Sequence, residues 1–241
     1  MKPLTTMKRI LISFILVAAT ALMVCAQATR HEVKVGNFSR LMLLDDINVN
    51  YRCNADSAGL AVFTCTQEMA NHFMFSLSDK GRLSIQVDDE CERQGNLPTI
   101  TLYSSSLDEV ENSGDSTLRL TDLPPMKAFK ARLIDNGKII VRGVCASQLE
   151  LQILSGKGKI IADGSCDDLS LRLVGTGEIQ ADQVEAVNVS CRIMGTGTMG
   201  CHVNGGTLKV SGSGTGKVYY KGTPSKVTVR KLGTIKAIPM D

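Results

Sequence analysis

The sequence predicts an all-β fold, a single-stranded parallel β-helix (β-solenoid) with about 20 residues per coil. Three observations predict it. A glycine-anchored unit recurs through the second half of the 241-residue chain, in the segments FKARLIDNGKIIV, LELQILSGKGKIIA, LSLRLVGTGEIQA, VSCRIMGTGTMGC and LKVSGSGTGKVYY. Its anchors are Gly137, Gly158, Gly177, Gly197 and Gly216, separated by 21, 19, 20 and 19 residues. Apolar residues also alternate on both sides of each anchor, as in Leu169, Leu171 and Leu173 before Gly177 and Ile179 and Ala181 after it. Finally, the unit lacks helical periodicity and is too short for a strand-helix-strand crossover, so each copy can bury its apolar side only against the next. An antiparallel sandwich would place turns at similar spacing, but residue-by-residue matching across a fixed period favours stacked coils.

Taken in order, residues 1–26 read as a signal peptide. Lys2, Lys8 and Arg9 precede an apolar run from Ile10 to Val24, and Val24-Cys25-Ala26 suits cleavage before Gln27. The run is short for a membrane span. A lipoprotein reading would use Cys25, but Val24 stands where a small residue is wanted. Residues 27–241 then form one β-solenoid domain, with looser coils and a cap over 27–98 and regular repeats over 99–241. In the looser part, strands alternate at Ile47 to Cys53, Leu60 to Cys65, Phe73 to Leu77 and Leu83 to Val87, with a short helix from Gln67 to His72 over the solenoid end. Open solenoid ends are sheet edges and need such a cap. With no Trp and 4% aromatic residues, the core must be built from Leu, Ile, Val and Ala.

Each anchor is expected to be a corner glycine with positive φ. Without the signal segment the charge is 24 Lys and Arg against 24 Asp and Glu, a net of zero, which offers no basic field to nucleic acid or an anionic membrane. Export permits disulfides, and seven cysteines remain after cleavage. Cys145 and Cys166 each lie eight residues after their anchors, so equal register predicts a disulfide between consecutive coils. Cys53 with Cys65 is a weaker candidate, and Cys191 and Cys201 read as small buried apolar side chains.

The exported start, the Phe38-x-x-Leu41 opening, the strands leading to Gly81-Arg-Leu-Ser-Ile85 and the Gly-x-Gly-x-Ile repeats together resemble the auto-transporter adhesin head, or GIN, domain family. The resemblance covers roughly Val33 to Tyr220. It implies a right-handed β-helix on exported proteins common in Bacteroidota, and no catalytic or ligand residue to carry over.

Motifs for other chemistries lack their context. Gly195-Thr-Gly197-Thr-Met-Gly200 matches a dinucleotide pattern, but a turn follows it where a helix N-terminus is needed, so no cofactor is expected. The glycine runs lack the aspartates of a calcium roll, the cysteines lack CxxC spacing, and His31, His72 and His202 have no nucleophile turn beside them, so neither a metal site nor a catalytic triad is expected. One array is a candidate ligand ladder: Arg142, Asp163, Asp182, His202 and Lys221 each stand five residues after an anchor and would stack in one column. A solvated ladder of mutually neutralising charges is the plainer account. Two functions follow, beside the third possibility of a purely structural module. One is an exported non-catalytic surface-binding protein, in the periplasm or at the cell surface, whose partner is a glycan or an envelope protein. The other is a β-helix polysaccharide lyase working through Asp163 and Asp182.

Overall fold

The computed structural model describes residues 27–89 and 95–240; residues 1–26, expected to be a signal peptide cleaved near Ala26, and Cys91 lie outside them. The strands are β1 (Thr29–Lys34), β2 (Arg40–Leu43), β3 (Val49–Cys53) and β4 (Leu60–Cys65). Helix α1 (Gln67–Ala70) follows, then β5 (Phe73–Leu77), β6 (Arg82–Val87), β7 (Ile100–Ser104), β8 (Glu109–Asn112), β9 (Thr117–Thr121) and β10 (Met126–Leu133). The regular coils are β11 (Lys138–Ile153), β12 (Lys159–Gly175), β13 (Glu178–Gly195), β14 (Thr198–Asn204), β15 (Thr207–Gly214), β16 (Lys217–Thr223), β17 (Lys226–Gly233) and β18 (Lys236–Pro239). Together the strands build a β-solenoid of about 7 turns, roughly 20 residues apart.

Two parallel ladders run along the solenoid. One carries β6, β2, β8, β10, the second halves of β11, β12 and β13, then β15 and β17. The other carries β7, β3, β9, the first halves of β11 to β13, then β14, β16 and β18. The predicted inward stripes fill the interior: Leu149, Leu151 and Ile153 stack on Leu169, Leu171 and Leu173, all buried. Burial of such side chains contributes about 1.5–3 kcal/mol each and drives the stacking.

The N-terminal part is looser for a topological reason. The β2–β3 coil lies between the β6–β7 coil and the β8–β9 coil, so the chain steps outward to build an end coil and then returns. Antiparallel pairings of β1 with β4, β4 with β7 and β5 with β6 cover that end. Here the scarce aromatics gather, with Phe63 5.2 Å from Phe73 and 6.2 Å from Phe75 between ring centroids. Helix α1 is shorter than predicted, and its N-terminus is capped by Thr66, whose hydroxyl accepts from the Met69 N–H at 3.2 Å.

The structure corrects two expectations. The anchors Gly137, Gly158, Gly177, Gly197 and Gly216 are outside the left-handed region; positive φ falls two residues earlier, as at Gly175 (+112°) and Gly195 (+138°). The anchors are glycine because of close approach. A Cβ on Gly177 would sit 2.6 Å from the Gly158 carbonyl oxygen, which accepts the ladder bond from the Glu178 N–H at 3.0 Å. Among the described residues no disulfide joins Cys145 to Cys166, because the register slips by one between Val141 and Val144. Cys145 therefore stands opposite Ser165 and points outward, whereas Cys166 stands opposite Ala146 and points inward. Nor do Cys53 and Cys65 meet: Cys53 is opposite Ser104 at one end of β7, and Cys65 extends past Thr101 beyond its other end.

Candidate functional site

The five residues of the predicted column do not form one column. Bulges redistribute them, because β11 sets Arg142 and Gly143 against the single Asp163, and β13 sets Ala181 and Asp182 against Ala162. Asp163 is then opposite Gln183 instead of Asp182, and His202 is opposite Glu185 and Lys221. Two separate ion pairs result. Arg142 donates to Asp163 Oδ2 at 2.6 Å, while the Gly143 N–H donates to Oδ1 at 2.6 Å. Lys221 Nζ reaches two coils back to Asp182 Oδ2 at 2.9 Å, over a space left open by Gly200, and Gln183 donates to the same oxygen at 3.1 Å. Partial burial would raise the Asp182 carboxyl, but the bonds from Lys221 and Gln183 outweigh it and hold the group below the usual aspartate range. The described residues contain no group of three or more His, Cys, Asp or Glu that could hold a metal ion.

Inside the coil two thiols are held above the ordinary thiol range. Burial, reinforced by Asp167 and Asp168, pushes Cys166 up to about 12. Hydrogen bonding to the Cys201 thiol, followed by burial, holds Cys191 well above its ordinary value. Both Cys191 and Cys201 are fully buried.

A second array went unnoticed in the sequence. On the outer face of the first ladder, the residue between the second and third inward positions is Arg132, Gln152, Arg172, Arg192, Ser211 and Arg230 in successive coils. The neighbouring column runs Lys130, Glu150, Ser170, Ser190, Lys209 and Thr228. Towards the N-terminus the charges are matched: Arg132 contacts Glu109 at 2.7 Å and Glu111 at 3.3 Å, and Lys130 contacts Glu150 at 2.7 Å. Towards the C-terminus Arg172, Arg192, Lys209, Lys226 and Arg230 are exposed, and among the described residues none has an acidic partner within 4.0 Å. A shallow groove of about 610 Å³ lies here, lined by Ser190, Thr207, Lys209, Ser211, Lys226 and Arg230 among others. The triplets Leu171-Arg-Leu173 and Cys191-Arg-Ile193 carry the signal in the sequence.

No helix among the described residues is long and apolar enough to cross a membrane. No curated protein matches the chain. Among solved structures it is similar to a "putative adhesin" from Bacteroides fragilis NCTC 9343, with a TM-score of 0.79 and 18% identity over 89% of this chain and 97% of that one. It is also similar to a "putative lipid binding protein" from Parabacteroides distasonis ATCC 8503, with a TM-score of 0.70 and 16% identity over 89% and 97%. A "putative adhesin" from Parabacteroides merdae ATCC 43184 gives 0.66 and 17% over 89% and 97%. At these identities the likeness is one of fold. A family model matches residues 37–224, most of the chain, and the protein therefore belongs to the family described as "putative auto-transporter adhesin, head GIN domain".

Proposed function

We propose that the chain is an exported, non-catalytic β-solenoid that presents a rigid outer surface to a glycan or an envelope protein, at the cell surface or in the periplasm. The observation that carries this reading is the outer face of the long parallel ladders. Consecutive coils set their side chains in columns at about 4.8 Å, a spacing held by the buried stack beneath, so the surface is ordered before any partner arrives. The family's adhesin-head description supports the same use. A lyase would need acids and a base converging on one sugar, whereas Asp163 and Asp182 are each taken up by a separate cation.

The test is saturable binding of the processed, exported protein to envelope fractions of the producing cell and of cells it contacts. Because one structural relative is described as lipid binding, extracted envelope lipids form a separate arm. Saturable binding without turnover of any polysaccharide supports the reading. Release of unsaturated uronate products, abolished by Asp163→Asn, would overturn it in favour of the lyase.

A further inference from the structure

The geometry points to the outer face of β12, β13, β15 and β17 as a binding site for a linear anionic polysaccharide, with Arg172, Arg192 and Arg230 taking its sulfate or carboxylate groups. This inference rests on the surface-binding reading above and names the ligand class. The zero net charge hides a strong polarity. Residues 205–241 carry seven Lys and Arg against one acid, whereas residues 27–204 carry seventeen against twenty-three. In these two columns the charge is neutralised by Glu109, Glu111 and Glu150 as far as β11, and beyond it they hold no acid while the cations continue; Asp168 of β12 stands in the next column, where it accepts from Asn188 at 3.2 Å.

The arrangement costs the free protein something. Arg172 and Arg192 are directly paired across neighbouring parallel strands, and like charges so placed repel. A polyanion removes that repulsion and gains charge-assisted, bidentate hydrogen bonds from guanidinium groups. From Arg172 to Arg230 the column spans three strand spacings, about 14 Å, which suits an extended chain with repeated charges better than one isolated anion. Beside the arginines the surface offers the hydroxyls of Ser170, Ser190, Thr207, Ser211 and Thr228, matching a sugar's own hydroxyls. No aromatic side chain stands in these two columns, so the stacking platforms that hold single-stranded nucleic acid are missing from this face.

The experiment measures the affinity of the processed, exported protein for a heparin octasaccharide and for polygalacturonate. Neutral dextran, phosphatidylglycerol vesicles and a short single-stranded DNA are run in parallel. The anionic glycans should bind, dextran should not, and affinity should fall steeply as salt is raised. The triple variant Arg172→Gln, Arg192→Gln, Arg230→Gln should lose about tenfold or more in affinity, because each lost cation also weakens the polyanion's electrostatic attraction. Arg132→Gln, where the charge is already matched by two glutamates, should change it less than about twofold. A second variant keeps every arginine: Ser211→Glu places a carboxylate between Arg192 and Arg230, and should weaken glycan binding while raising the thermal midpoint. Equal losses in the triple variant and Arg132→Gln would overturn the site, as would tighter binding to the vesicles or the DNA than to either glycan. Binding to envelope fractions with no affinity for anionic glycans would overturn this inference alone. Binding to neither would overturn the surface-binding reading as well.

Discussion

Asp163 closes the bulge at Gly143. One of its carboxylate oxygens accepts from the Gly143 N–H and the other from the Arg142 guanidinium, each at 2.6 Å, so a side chain on β12 fastens the extra residue of β11. Asp163→Ala should therefore destabilise the coil by about 1–2 kcal/mol, and Asp163→Asn by less, since the amide oxygen can still accept from Gly143. Urea titration of the three proteins measures this. Equal stability of Asp163→Ala and wild type would show that the bulge stands without the carboxylate.

The same bulge separates two thiols in reactivity. Cys145 is exposed, while Cys166 is buried with its titration pushed up to about 12. Alkylation of the native protein near pH 8 should modify Cys145 rapidly and Cys166 only after unfolding. Peptide mapping that finds both labelled at similar rates would contradict the inward placement of Cys166.

Lys221 and Asp182 make a pH-dependent contribution. Because the folded carboxyl lies below its unfolded value, the contribution is full above the unfolded pKa and is lost as pH falls through the folded one. Lys221→Met should cost about 0.5–1 kcal/mol at neutral pH, since the pair is only partly buried and solvent screens it, and the gap to wild type should close once pH falls well below the ordinary aspartate value of about 3.9. A gap that persists unchanged in acid would assign the loss to packing of the lysine stem.

The glycines should divide by mechanism. Gly177→Ala forces a Cβ against the Gly158 carbonyl and should cost about 1–3 kcal/mol, more than Gly143→Ala, which meets nothing within 4 Å and bears only its positive φ at about 1 kcal/mol. Thermal melts of the two variants decide it. The reverse order would show that conformation, and not close approach, selects glycine at the anchors.

Much of the fold was legible because two periods coincide. Alternation marks the inward residues, and the anchor spacing marks the coils, so the sequence alone puts Leu171, Leu173 and Ile179 inside, where they are buried. Counting from the anchors failed where a coil holds an extra residue, since one insertion moves every following side chain to the other face. A trace of it exists in the sequence: the next inward triplet starts twelve residues after Gly137 at Leu149, but eleven after Gly158 at Leu169. The return of the chain through β7 to β8 left no such trace, because strands of that length pair equally well in either order. The arginine face was overlooked because total charge averages over the acidic body and the basic end.

The pairing register of β11 with β12 underlies the neutralised acids and the arginine column alike, and one cross-link tests it. Ala146 is directly opposite Cys166 with both side chains inward, and paired strands lie within the Cα separation of about 4.4–6.8 Å that a disulfide accepts. The double variant Ala146→Cys, Cys145→Ser, exported into an oxidising compartment, should form a disulfide to Cys166, seen by non-reducing peptide mapping, while the wild-type protein should show none between Cys145 and Cys166. A wild-type bond between Cys145 and Cys166 would contradict the bulge and the register built on it.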